Sequence, residues 1–142
     1  MPYTTLEDLI DRYSEGLLIQ LTDRADVATG VIDEDAVADA IADADAVING
    51  YVGARYKLPM AEVPPLLADV AKAISVYKLH SFEPSRKIEA DYRDALATLK
   101  EISRGTITLD VAGVVPATTG SASARVTDRE RPMTEGSMKG FI

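Results

Sequence analysis

Three groups of residues in this 142-residue chain have the types and spacing that chemistry uses. The first is "DEDAVADAIADAD", Asp33 to Asp45, where carboxylates are dense enough to suggest calcium. An EF-hand loop needs oxygen ligands at positions 1, 3 and 5, glycine at 6 and glutamate at 12. Counted from Asp33, positions 5 and 6 are Val37 and Ala38; counted from Asp43, they are Val47 and Ile48. Both registers fail. Asp35, Asp39 and Asp43 instead recur every fourth residue, the spacing of one helix face, and such a row reads as a solvated surface. Like charges at that spacing cost a helix a little stability.

The second group is "NGYVGARYKLP", Asn49 to Pro59. It contains the bare GxxG of the KH-type RNA clamp. That clamp lies between two helices packed on a sheet, and no strand pattern flanks this one. Its central Tyr51 and Val52 offer nothing to a phosphate. The glycine-rich phosphate loops are absent as well. The better reading is structural. Gly50 and Gly53 let another backbone come close, or let a helix unwind before Pro59. Tyr51 and Tyr56 pack the bundle or a subunit contact, their hydroxyls reaching polar partners. Arg55 and Lys57 are the only basic residues between Arg24 and Lys72, so the acidic face is their expected partner, within or between subunits.

The third is His80, the only histidine. It ends an apolar stretch with no Ser or Cys nucleophile in context, and reads as a helix C-terminal cap or a packed residue. Acidic residues are plentiful, but spacing singles out no catalytic pair. With no cysteine, thiolate zinc, thiol catalysis and a disulfide framework are excluded. The expectation is a protein with no enzymatic activity, no metal and no cofactor.

The elements that must position these residues are mainly helical. "TTLEDLIDRY" opens with Thr4 followed three residues later by Glu7, a capping-box signature. Gly16 is expected to interrupt, with a short helix or turn from Leu17 to Leu21 after it. Asp33 suits the N-cap of a helix from about Glu34 to Tyr51–Tyr56. Its apolar stripe would be Val37, Ile41, Ala44, Val47, Ile48, Tyr51 and Val52. "LLADVAKAISVYKLH" is apolar almost all round, with Asp69, Lys72, Ser75 and Lys78 as a narrow polar stripe. That makes it the central helix of the bundle. Ser85 can cap a last helix lined by Ile88, Tyr92, Leu96, Leu99 and Ile102, and Gly105 sits where a terminating glycine belongs. "TITLD" alternates and reads as one short β segment, an edge strand able to pair with another chain. The fold class is thus mainly α: about four to five helices in a small bundle over residues 1–110, one short β segment, and an extended C-terminal tail over 111–142.

In the tail periodicity stops. Glycine, serine and threonine dominate, and composition predicts no independent fold. Yet its end places Met133, Met138, Phe141 and Ile142 among basic residues, including Arg125, Arg129 and Arg131. Apolar anchors after a polar spacer suit a peptide that orders on a partner, and composition alone equally fits a frayed terminus. The net charge of -8 is uneven. Residues 1–110 hold 20 acidic and 11 basic side chains, whereas 111–142 hold 3 and 4. An acidic body argues against gripping nucleic acid, though not against DNA passing without sticking. The N-terminus lacks a signal-peptide pattern, and no apolar run approaches the roughly 18 residues of a membrane span.

The order of segments carries more than any single motif. The chain runs through "TTLEDLIDRY", "LTD", "ID" before the acidic helix, "INGYVGARYKLP", "VPP" and "GTITL" to a terminal "RPM…KGF". Over nearly its whole length it resembles the small neck proteins of Mu-like phages and prophages. The resemblance implies a head–tail connector, or adaptor, in the virion neck. It implies a homo-oligomeric ring, usually a dodecamer, beneath the portal protein, extending the DNA channel and offering a platform to the next neck or tail-completion protein. The tail residues Arg125, Arg129, Arg131, Met133, Met138, Phe141 and Ile142 would then anchor to the portal. Asp35, Asp39 and Asp43 would face the channel, where repulsion lets DNA slide. The alternative is a monomeric acidic regulatory or effector-binding protein of a prophage, its acidic face mimicking DNA or binding a basic partner.

Overall fold

A computed structural model describes residues 2–110. It contains five helices: α1 (Leu6–Tyr13), α2 (Glu15–Thr22), α3 (Glu34–Val52), α4 (Pro65–Leu79) and α5 (Arg86–Arg104). The fold is mainly helical, and α4 packs against both α3 and α5. Buried Leu67, Val70, Ala71 and Ile74 of α4 meet Ala44, Ile48 and Val52 of α3 and Leu99 and Ile102 of α5. At the other end Val76 and Leu79 join Val37 and Ala40 of α3, Ile88 of α5, and Leu9, Leu18 and Leu21 of the α1–α2 pair. The three long helices therefore run up, down and up. The α1–α2 pair covers the end holding the start of α3, and the C-terminal ends of α3 and α5 come together at the opposite end.

The helix boundaries follow local chemistry. The Asp33 carboxylate accepts the Asp35 and Ala36 N–H groups at 3.1 and 3.2 Å, and so caps α3 as its sequence implies. Pro65 opens α4, where its missing N–H leaves nothing unpaired. Ser85 caps α5 by accepting the Ile88 N–H, and Gly105 ends it at φ 83°, in the left-handed region. His80 closes α4, its Nδ1 donating to the Val76 carbonyl at 2.7 Å.

Four expectations need correction. The α1 cap is Thr5 with Asp8, not Thr4 with Glu7: Asp8 N–H donates to Thr5 Oγ1 at 3.3 Å and Thr5 N–H to Asp8 Oδ2 at 3.0 Å. The one-residue shift follows from Tyr3, which is pinned by bonds to α3 and carries Thr4 into the interior with it. The break between α1 and α2 is made by Ser14, not Gly16. Ser14 takes a positive φ of 76°, donates its N–H to Ile10 and caps α2 with its hydroxyl, two tasks a glycine could not combine. Ser75 is not part of an exposed polar stripe: it is fully buried, because α4 is covered on that side too.

The fourth correction concerns "TITLD". No strand exists among the described residues. The alternation is real, for Ile107 and Leu109 turn inward while Thr106, Thr108 and Asp110 are exposed. A helical bundle offers no sheet edge, so the extended segment docks by its side chains instead of a ladder.

Candidate functional site

Asp35, Asp39 and Asp43 project from α3 on the side away from its buried Ala40, Ala44 and Ile48. All three are exposed, and no ion pair among the described residues includes any of them. No cluster of acidic or histidine side chains among those residues is arranged to hold a metal ion. Among the described residues the row is a strip of uncompensated negative charge, able to repel a polyanion or attract a cationic partner.

Asp45, beside that row, behaves differently. It is half-buried, and its carboxylate accepts the Tyr3 N–H at 3.1 Å. Burial raises its pKa, and the Tyr3 hydrogen bond only partly opposes this. The Tyr3 hydroxyl donates to Asn49 Oδ1 at 2.6 Å, and burial followed by the Asp45 charge pushes that phenol above its usual range. A cavity of about 310 Å³ lies there, lined by Tyr3, Asn49, Leu58, Pro59, Met60 and Val63. Periodicity could not have joined Tyr3 to Asn49, 46 residues away. The available signal was an aromatic residue just ahead of a helix cap.

The stretch Asn49–Pro59 lies where α3 ends. The chain makes one more turn, with Arg55 and Tyr56 both donating N–H groups to the Val52 carbonyl. Gly53 is crowded: a Cβ there would sit 2.8 Å from the Asn49 carbonyl oxygen. Tyr51 is half-buried against the core, and Tyr56 is buried. The Tyr56 hydroxyl accepts the Leu109 N–H at 2.8 Å. Lys57 is exposed and in no ion pair among the described residues.

Arg55 does not meet the acidic face within the chain. Its guanidinium donates to the Arg104 carbonyl at 3.3 Å and covers Gly105. The reason is distance. Asp43, the nearest of the row, is twelve positions back along the helix, roughly 18 Å at 1.5 Å per residue. The C-terminal end of α5 lies alongside, with free carbonyls and a negative dipole end that favours a cation.

A second organised element is the turn before α3. The Asp23 carboxylate accepts the N–H groups of Thr29 and Gly30 and the Thr29 hydroxyl, at 2.9 to 3.2 Å. Those bonds, Gly30 first and then Thr29, hold its carboxyl below the ordinary range. Arg24 ties the same turn to the end of α4 by donating to the Leu79 carbonyl at 2.7 Å. The set Arg125, Arg129, Arg131, Met133, Met138, Phe141 and Ile142 lies outside the described residues.

No described helix is long and apolar enough to cross a membrane. Residues 3–128 match the family model described as Bacteriophage Mu, Gp36. The chain is 32% identical to gene product J of Escherichia phage Mu over 142 residues, the full length of both. It is also 32% identical to the Mu-like prophage FluMu protein gp36 of Haemophilus influenzae over 107 residues, covering 75% of this chain and 74% of the relative. With both relatives from phage or prophage and the model spanning most of the sequence, the chain belongs to the Bacteriophage Mu Gp36 family.

Proposed function

We propose that this protein is a structural component of the virion neck, a head–tail connector. In this reading copies of the chain form a ring under the portal protein, extend the DNA channel and present a platform to the next neck or tail-completion protein. The reading assigns the chain no catalysis and no cofactor.

The observation that carries it is the exposed row Asp35, Asp39 and Asp43, with no ion-pair partner among the described residues, in a chain of a phage family. A protein that gripped DNA would present lysine and arginine there. An aspartate row repeated around a ring would make a lining along which DNA moves without adhering. The tail residues from Arg125 to Ile142 supply the portal anchor, since they combine apolar side chains with positive charge.

The test is a pull-down and mass measurement with the portal protein of the same phage, using the full chain and one lacking residues 125–142. The expected result is a multi-copy complex for the full chain. The shortened chain keeps its helical circular dichroism and fails to bind. Binding unchanged by the deletion removes the tail-anchor role. A full chain that stays monomeric with portal present removes the connector reading.

A further inference from the structure

We infer that Arg55 and Tyr56 are positioning residues that fix the path of residues 105–110, the segment from which the rest of the chain continues. The inference rests on the connector reading in one respect: it takes the chain beyond that segment to be the part that meets a partner.

Helix α5 ends at Arg104, but order does not. Gly105 reverses the backbone at φ 83°, and the Thr106 and Ile107 N–H groups return to the Glu101 carbonyl at 3.0 and 3.3 Å. Those bonds turn the chain off the helix axis without saying where it goes next. Two side chains from the end of α3 decide that. Arg55 fills the space beside Gly105 and holds the Arg104 carbonyl. Tyr56, the next residue, accepts the Leu109 N–H in a buried hydrogen bond spanning 53 positions. Leu109 is then only 5% exposed among core residues that include Tyr56 and Met60.

The combination is specific to what each residue offers. A segment without secondary structure has unpaired N–H groups, and burying one without an acceptor is costly. A phenol supplies an acceptor at the far end of a rigid apolar ring, so one side chain both fills the core and takes the proton donor. Arginine supplies a planar cation that can lie on a residue with no Cβ and donate to the last carbonyls of the helix. Glycine at 105 is required by its positive φ, and a Cβ there would displace the guanidinium beside it. The clamp therefore joins the C-terminal ends of α3 and α5 into one fixed root for the chain that follows. A bound segment that starts from a fixed root loses less freedom on docking than one whose root swings.

The experiment compares the full chain with Tyr56→Phe and with Arg55→Ala. Amide hydrogen exchange is followed by NMR, and binding to the portal protein of the same phage is measured. Phenylalanine keeps the ring and removes only the acceptor. Exchange at Leu109 is expected to rise on the order of tenfold in Tyr56→Phe, while α3 and α5 amides keep their protection. Arg55→Ala is expected to raise exchange at Thr106 and Ile107. Portal binding should weaken severalfold in both variants at an unchanged helical content. Unchanged exchange at Leu109 in Tyr56→Phe overturns the clamp. Faster exchange with undiminished portal binding overturns its positioning role. If the wild-type chain does not bind portal at all, the connector reading falls, and the exchange results alone decide whether the segment is clamped.

Discussion

The guanidinium of Arg55 occupies the space that a side chain on Gly105 would need. The two residues are 50 positions apart, and each explains the other. Gly105→Ala is expected to destabilise the protein by about 1–2 kcal/mol from the left-handed backbone alone, with a further cost from displacing Arg55. Urea denaturation of Gly105→Ala, Arg55→Ala and the double variant separates the two. The double variant should be more stable than the sum of the single losses implies, because truncating Arg55 removes the collision. Strict additivity would mean the guanidinium is not held over Gly105.

Ser75 is the one buried side chain among the described residues whose polar atom has no partner. Ser75→Ala is expected to raise stability by about 0.5–1 kcal/mol, since it removes an unpaired hydroxyl and adds a better helix former. A loss of stability in thermal melts would show that the hydroxyl has a partner in solution.

Asp45 has a pKa raised by burial. A carboxyl raised in the fold contributes stability that is present below the ordinary aspartate value, near 4, and lost as pH rises through the folded value. Asp45→Asn keeps an acceptor for the Tyr3 N–H and removes the charge. It should melt at or above the wild-type temperature at pH 7, with the difference vanishing below about pH 4. A lower melting temperature at pH 7 would refute this account.

Asp8 and Asp23 show the opposite sign. The Thr5 hydroxyl and then the Thr5 N–H hold Asp8 below its usual range, as the N–H groups of Gly30 and Thr29 hold Asp23. Their contributions are present above the ordinary value near 4 and are lost as pH falls through the depressed folded values. NMR on acidification should therefore show the Thr29 and Gly30 amides and the first turn of α1 changing below about pH 4, ahead of the α4 core. Simultaneous loss of core and turn would contradict the assignment.

The aspartate row is expected to be dispensable for folding. Asp35→Asn, Asp39→Asn and Asp43→Asn combined should leave helicity intact and stability equal or slightly higher, at roughly 0.2–0.5 kcal/mol per relieved like-charge pair. Under the connector reading, virions carrying the triple variant should release DNA more slowly. Ejection at the wild-type rate would take the row out of the channel.

Much of the architecture was legible because it rests on local rules. Asp33, Ser85 and Gly105 announce their caps through chemistry that needs only the neighbouring backbone, and α4 announces its central place through apolar residues on nearly every face. The errors were local contests settled by distant contacts. Thr4 and Thr5 are equivalent as caps until Tyr3 must reach Asp45 and Asn49. Ser14 and Gly16 are both plausible breaks until one residue must end α1 and begin α2 together. Of the candidate site, the exposure of the acidic row was readable, since its members need no partner to be exposed.

The sequence by itself determined which residues are apolar at helical spacing and where α3 and α5 are capped, because periodicity and capping act over a few residues; the order of its segments determined which family it resembles. Only the tertiary structure decided what Arg55 and Tyr56 hold. Their partners, Arg104, Gly105 and Leu109, lie 49 to 53 positions away. Proximity at that separation comes from the up-down-up packing of α3, α4 and α5, which brings two helix ends together with unpaired backbone groups to satisfy.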